Sequence, residues 1–271
     1  MNVVVMSRID DPGALDYTRE LAHQLASAGD AVQFEARTAG ALGVSGADPS
    51  AWTGDVAVVV GGDGSVLLAV QRMTTQIPVI GINWGEVGFL TELEPEEAPA
   101  FLERMRSEGY RTESRMRISL DVNGEPIGDA LNEAVIVTQR PAKMLRFCIG
   151  IDGVITERFR ADGLLVSTPT GSTAYAMSAG GPIVDPRIEG FLIVPLAPYL
   201  LSSRPHLISD ERNLEIKLEC EKTARLVLDG QYTTEIAAGS ILHISKAEQP
   251  AKFVDAGKNF FLKVESKLRR L

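Results

Sequence analysis

The chain has 271 residues, 45% of them hydrophobic and 6% aromatic, an ordinary globular balance that fits one large or two modest domains with a sizeable core. Twenty-seven basic residues against 36 acidic ones leave a formal charge of −9, which argues against generic nucleic-acid or anionic-membrane binding and leaves only local basic patches for anions. Cys148 and Cys220 are too few and too isolated for a disulfide framework, and His23, His206 and His243 lack a metal-ligand spacing, so no protein-held metal site is expected.

In chain order, Val3 to Met6 reads as a buried strand, after a start with no basic leader. Asp11-Pro12 then supplies an N-cap and a helix-starting proline, with Leu15, Leu21, Ala22 and Leu25 as the apolar stripe and Gly29 as the stop. Ala31 to Phe34 is a second strand, and the Ala/Gly/Ser-rich stretch 38–50 reads as a loop or irregular segment. Val56 to Val60 is a strand, Ser65 to Arg72 a helix, Val79 to Asn83 a further buried strand, and Pro95 to Glu108 a helix with Phe101, Leu102 and Met105 apolar. Continuous apolar strands between helices predict a parallel sheet covered on both faces. From about Arg115 short alternating strands take over, punctuated by hairpin signals at Asn123-Gly124, Asp152-Gly153 and Asp229-Gly230. These predict an antiparallel domain of two packed sheets. The apolar tail Asn259 to Val264 is expected to pack back on the first domain. The domain boundaries expected are 1–110, 111–250 and a returning segment 251–271. No run approaches the roughly 18 apolar residues of a membrane span, and a reduced, cytoplasmic setting is the expectation.

Between the strand ending at Val60 and the helix beginning near Ser65 lies Gly61-Gly62-Asp63-Gly64. Strand, glycine-rich turn and helix can aim backbone N–H groups and a helix N-terminus at a phosphate. No lysine follows, as a Walker loop requires, and Leu67 stands where a dinucleotide fingerprint needs glycine or alanine. Two readings stay open on these residues: a tight turn with Asp63 capping the helix, or a phosphate loop with Asp63 beside the transferred group. In the second, Asp63 accepts the proton of an attacking hydroxyl, and a divalent cation must bridge it to the phosphates.

A second unusual stretch, Arg160 to Tyr175, reads RADGLLVSTPTGSTAY and offers many small donors and acceptors next to a flat aromatic face. Taken together with GGDGS and the Asn132-Glu133 pair in ALNEAVI, it strongly resembles the NAD kinases over essentially the whole chain, from the first strand to Phe260-Phe261-Leu262-Lys263. The segment from Asn83 departs from the family's Asn-x-Gly-x-Leu-Gly-Phe pattern only at Val87, where the family has leucine.

The resemblance implies an α/β N-terminal domain with a Rossmann-like parallel sheet, followed by an all-β, sandwich-like C-terminal domain. It also implies phosphorylation of the adenosine ribose 2′-hydroxyl of NAD by ATP, or in some members polyphosphate, with Mg2+, in a homo-oligomer (dimer or tetramer). By the same resemblance Asp63 is the general base, and Gly61, Gly62 and Gly64 shape the phosphate turn. Asn132 and Glu133 bind NAD, the Glu133 carboxylate accepting from ribose hydroxyls. Thr170, Thr173, Ala174 and Tyr175 line the adenosine pocket, Phe89 lies near the adenine, and Asp162 fixes the nicotinamide half. Nucleic acid and membrane are not expected partners. The bare residues leave Asp162-Gly163 open as a simple turn, and Asp229-Gly230 reads only as a turn. A lipid or sugar kinase sharing the GGDG loop, or a non-catalytic dinucleotide-binding sensor, are the competing functions.

Overall fold

The computed structural model describes every residue except 87, 141–142, 200–202 and 269–271. Val87, and the middle of the 195–205 segment PLAPYLLSSRP, which reads as either an interface or a buried strand, therefore lie outside the described residues. The chain forms two compact units, Met1–Ser114 with Ala251–Leu271, and Arg115–Pro250.

The first unit is a seven-stranded sheet with helices. Its strands are β1 (Asn2–Ser7), β2 (Ala31–Glu35), β3 (Gly46–Ala47), β4 (Val56–Gly61), β5 (Val79–Asn83) and β6 (Thr112–Arg115). A late strand, Ala251–Val254, enters the sheet between β5 and β6, so that the order is β3-β2-β1-β4-β5-late strand-β6. The pairings from β3 to the late strand are parallel. β4 is buried at all six positions, which its unbroken valine run requires of a strand covered on both faces. Val56, Val58 and Val60 share one core with α1 (Pro12–Ser27) and α4 (Ala98–Glu108). α2 (Ala36–Leu42) contacts β1, and α3 (Asp63–Arg72) packs on β4 and β5 with Val66, Ala69 and Val70 buried.

Local chemistry sets these boundaries. Asp11 caps α1 by accepting the Ala14 N–H at 3.1 Å, and Ala14, Thr18, Leu21, Ala22 and Leu25 form the buried stripe. The stretch 38–50, expected as a loop, contains α2, β3 and a single 3-10 turn at Pro49–Ala51. α2 is two turns long, too short to display a period, and its ends hold it: Glu35 accepts the Thr38 N–H at 2.8 Å, and Gly43 closes it in the left-handed region at φ 72°. α3 starts two residues earlier than its apolar pattern, and α4 three residues later than Pro95. The tail forms α6 (Phe260–Leu268), in which Val264 is buried while Phe261 and Leu262 stand in solvent. The tail thus returns to the first unit as expected, but through Val264 and not through Phe261 and Leu262. The Lys263–Glu92 ion pair at 3.3 Å and the Lys258–Glu97 pair at 2.7 Å tie this end to the unit.

The second unit is all-β with one helical interruption. Its strands run β7 (Ile118–Val122), β8 (Glu125–Ala130), β9 (Glu133–Thr138), β10 (Leu145–Ile151), β11 (Val154–Ala161) and β12 (Gly163–Ser167). They continue as β13 (Gly190–Leu196), β14 (His206–Ser209), β15 (Leu214–Leu218), β16 (Ala224–Leu228), β17 (Tyr232–Ile236) and β18 (Ile241–Lys246). One antiparallel sheet has the order β11-β10-β15-β18-β7-β8, the other β14-β13-β12-β9-β16-β17. Inward residues of both, among them Leu120, Phe147, Ile216, Ile136, Leu164 and Phe191, fill a single core, which is the sandwich that the alternating strands predict. The three Asx-Gly pairs each make a hairpin turn with two successive positive φ values, 55° and 86° at Asn123-Gly124, 52° and 76° at Asp152-Gly153, and 50° and 66° at Asp229-Gly230.

Candidate functional site

In the first unit the strand order reverses direction between β1 and β4, which lead outward to β2 and β5 on opposite sides. A crevice at the carboxyl ends of such a pair is where open α/β sheets bind ligands. Arg8 follows β1 there, and Gly62-Asp63 follows β4, whose last residue is Gly61. The Arg8 N–H donates to the Val60 carbonyl at 2.8 Å, and its guanidinium donates to the Trp84 carbonyl at 3.0 Å and to Asp10. α3 then starts on Gly62 with no side-chain cap. Its first N–H groups therefore lack a side-chain acceptor at the positive end of the helix, which suits an anion.

Asp63 is not the cap. It is the first helical residue, and its carboxylate reaches away from α3 to gather three consecutive N–H groups. Oδ2 accepts from Phe89 at 2.8 Å, and Oδ1 accepts from Leu90 at 2.8 Å and Thr91 at 3.3 Å. A carboxylate offers about four acceptor directions, so the fourth, on Oδ2, is the one left for a ligand. The half-buried Phe89 is in this way tethered by its backbone to Asp63.

In the second unit the Asn-Glu pair and the Ser/Thr motif come together. β9 lies beside β12 with Glu133 opposite Ser167, and on its other side β16 runs out so that the Asp229 N–H donates to the Glu133 carbonyl at 3.0 Å. After Ser167 the chain forms a 3-10 turn, Thr170–Thr173, and a single helical turn, α5 (Tyr175–Ser178), which folds back over the outer face of the sheet. Ala176 is buried there with Val135, Leu165, Val184 and Val194.

Most hydroxyls of the motif are hydrogen-bonded within the protein. Ser167 donates to the Asn132 carbonyl at 2.9 Å, and Thr168 donates to the Leu131 carbonyl at 2.6 Å while accepting the Gly171 N–H at 3.1 Å. Ser172 exchanges bonds with the Val184 backbone, and Thr173 donates to the Thr170 carbonyl at 3.4 Å. A Cβ at Gly171 would collide with the Asn132 carbonyl, so only glycine permits this approach of the two backbones.

Within the Asn-Glu pair and the Arg160 to Tyr175 stretch, three of the buried side-chain atoms have no hydrogen-bond partner: Oε2 of Glu133, Oδ1 of Asp162 and Oγ1 of Thr170. Native buried polar groups are nearly always paired, so these atoms are candidate contacts for a polar ligand. Asp162-Gly163 is no hairpin turn. It joins β11 to β12, and Asp162 lines a cavity of about 430 Å³ together with Tyr175, Thr138 and Ala197. Tyr175, 47% exposed, offers its ring to that space, and Ala174 is the half-buried link before it.

Burial, and secondarily the Asp229 carboxylate, pushes the Glu133 carboxyl up to about 8. A carboxyl raised that far is donor as well as acceptor in its protonated form. Asp229 itself is buried and raised by desolvation, a rise opposed by backbone N–H donors and by Arg117. Asp229, Ser167 and Thr168 are the residues that sequence reasoning passed over. The Asp-Gly dipeptide signals its turn and hides its carboxylate's other partners, and the two hydroxyls sit inside the recognised motif with nothing to separate them from Thr170.

Comparison with known proteins agrees across the chain. Residues 50–110 match the ATP-NAD kinase N-terminal domain and residues 131–256 the ATP-NAD kinase C-terminal domain. Similar proteins include the NAD kinases of Methanoculleus marisnigri and Methanoregula boonei, 62% and 60% identical over 271 residues and covering 100% of both chains in each pair. Among solved structures, an NAD kinase from Archaeoglobus fulgidus in complex with ATP aligns with a TM-score of 0.84 at 31% identity over 100% of both chains. Yeast NADH kinase complexed with NADH aligns with a TM-score of 0.92 at 23% identity, over 100% of this chain and 88% of that one, a likeness of fold.

Proposed function

Since the chain belongs to the NAD kinase family, we propose that it transfers the γ-phosphoryl group of ATP to the 2′-hydroxyl of the adenosine ribose of NAD, giving NADP. The observation that carries the residue assignment is the set of unpartnered buried atoms on Glu133, Asp162 and Thr170, three residues that the family resemblance gives to the dinucleotide. Glu133 and Asn132 hold ribose hydroxyls, with Glu133 entering the complex as a neutral acid. Thr170, Thr173, Ala174 and Tyr175 receive the adenosine, Phe89 supports the adenine, and Asp162 holds the nicotinamide half.

Asp63 is the proton acceptor, through the open direction on Oδ2. Its three backbone bonds fix the carboxylate, so that no reorganisation is needed when the hydroxyl proton is transferred. Gly61, Gly62 and Gly64 form the turn that seats the phosphates against the uncapped start of α3. Mg2+ comes with ATP as part of the nucleotide substrate. An ion of this kind is bound chiefly by phosphate oxygens and water. Bound so, it neutralises charge on the transferred group.

The proposal extends to a homo-oligomer, a dimer or tetramer, in keeping with exposed Val154, Ile155 and Tyr199, and to the cytoplasm, in keeping with free Cys148 and Cys220. Light scattering tests the former. Incubation with NAD, ATP and Mg2+, read by an NADP-specific dehydrogenase, tests the reaction. NADP should form only when all three are present. NAD binding without NADP would identify a sensor instead, and phosphorylation of a lipid or sugar with NAD untouched would identify another kinase.

A further inference from the structure

Asp229 has two structural roles. Its backbone, at φ 50° beside Gly230 at 66°, makes the β16–β17 hairpin. Its carboxylate does something that no hairpin needs: Oδ2 accepts the Leu131 N–H at 2.7 Å, and Oδ1 accepts the Asn132 N–H at 2.7 Å and the Glu133 N–H at 3.0 Å. The residue is only 4% exposed, and a buried carboxylate is costly unless its bonds offset the desolvation. A neutral turn residue such as asparagine would serve the hairpin equally well, because both residues tolerate the left-handed region.

We propose that Asp229 is a positioning residue for the dinucleotide: its carboxylate fixes the 131–133 turn and thereby the side chains of Asn132 and Glu133. The inference rests on the reading of those two residues as NAD-binding. The opposite side of the same turn is held by Ser167 and Thr168, which bind the Asn132 and Leu131 carbonyls. The N–H donors of the turn thus go to the Asp229 carboxylate, its Leu131 and Asn132 carbonyls to Thr168 and Ser167, and its Glu133 carbonyl to the Asp229 N–H, leaving the Glu133 and Asn132 side chains as the variable part.

The charge has a second consequence. Asp229 faces Glu133 from the β16–β17 turn and, with burial, holds its carboxyl in the protonated form. Ser167, opposite on β12, is neutral. Arg117, at 3.2 Å from Asp129, is the cation that offsets Asp229. When Glu133 loses its proton it loses the O–H donor that the neutral acid offers to a ribose oxygen, with or without Asp229 beside it, so NAD binding should weaken above about pH 8.

The test is Asp229→Asn in the full chain, assayed with NAD, ATP and Mg2+. The variant keeps the hairpin but sets an amide N–H2 against a backbone N–H and removes the negative charge. KM for NAD should rise about 10- to 100-fold, the scale of one charge-assisted hydrogen bond, with KM for ATP and kcat within about threefold of wild type. The pH at which KM for NAD begins to rise should move down from about 8, because the charge that opposes Glu133 ionisation is gone. An unchanged KM for NAD, or equal rises for NAD and ATP, would overturn the proposal. If Asp229→Asn does not fold, Asp229→Glu decides: it keeps the charge but displaces it by a methylene, so KM for NAD should rise while the pH inflection stays near 8. A wild-type KM for NAD in that variant overturns the proposal. A wild-type protein that forms no NADP would fail the underlying reading, whereas a working wild type with an unmoved variant fails only this inference.

Discussion

Alanine at Gly62 and alanine at Gly61 should have opposite consequences, because the fold needs one of these glycines and the proposed phosphate site needs the other. Gly62 has φ −91° and ψ −176°, backbone that any residue adopts, and a Cβ there would meet nothing within 4 Å. As the N-cap of α3, alanine is worse than glycine by about 0.5–1 kcal/mol, while the less flexible unfolded chain returns about 0.4–1 kcal/mol. The net change should lie within about 0.5 kcal/mol, or roughly 2 °C in Tm. At Gly61 a Cβ would stand 2.7 Å from the Ser65 Cβ in a buried place, and overpacking of that kind costs about 1–3 kcal/mol. A methyl group on Gly62 would project into open space, and if that space takes the phosphates as proposed, losing one charged hydrogen bond there should raise KM for ATP about 10- to 100-fold. Thermal unfolding and initial rates against ATP at saturating NAD measure both quantities. A wild-type KM for ATP in Gly62→Ala, or a Tm loss as large as that of Gly61→Ala, would refute the reasoning.

Two further outcomes follow from the second unit. Glu133 holds its proton to about pH 8 when folded, against an ordinary value of 4.5. Its contribution to stability is therefore fully present below pH 4.5 and is lost as pH rises towards 8, by about 5 kcal/mol at most. Urea denaturation at pH 5.5 and 8 should show this slope in wild type and its flattening in Glu133→Gln, and an unchanged slope would assign it to another group. Thr168→Val leaves the Leu131 carbonyl and the Gly171 N–H without their buried partner, which costs about 1–3 kcal/mol for each, and KM for NAD should rise with it. Thr168→Ser restores both bonds, so equal stability of wild type and the valine variant would contradict the assigned role.

How much of this was legible in the sequence depended on the range of the interactions. The parallel sheet announces itself because strands such as Val56–Val60 are buried on both faces and read as unbroken apolar runs. The hairpins are equally plain, since Asn123-Gly124, Asp152-Gly153 and Asp229-Gly230 supply the positive φ values that the turns need. α2 escaped notice because it is only two turns long and is made by its ends, Glu35 and Gly43, more than by any stripe. The tail misled only as to which residues pack, because Phe261 and Leu262 are apolar yet exposed, and an apolar residue near a terminus need not find a core.

The candidate site divides in the same way. Its residues are visible as motifs, but which of them face a ligand is not. Asp63 looks like a cap because it sits at a helix start, and its donors lie 26 to 28 residues further on. The donors of Asp229 are 96 to 98 residues away, and only the pairing of β16 with β9 brings them together. Among the hydroxyls of the Ser/Thr motif, composition cannot separate Thr168, which binds backbone, from Thr170, whose Oγ1 is unpartnered.

The central claim, that Asp63 takes the proton of the attacking ribose hydroxyl, is tested most directly by the single-turnover rate of NADP formation in Asp63→Asn at saturating ATP, NAD and Mg2+, with NAD binding measured on the same protein. The amide keeps an oxygen for the Leu90 and Thr91 N–H groups but cannot accept the proton. NAD should still bind, while the rate should fall by about 10²–10⁴-fold, the usual loss for a general base. NADP formation at a wild-type rate would contradict the account.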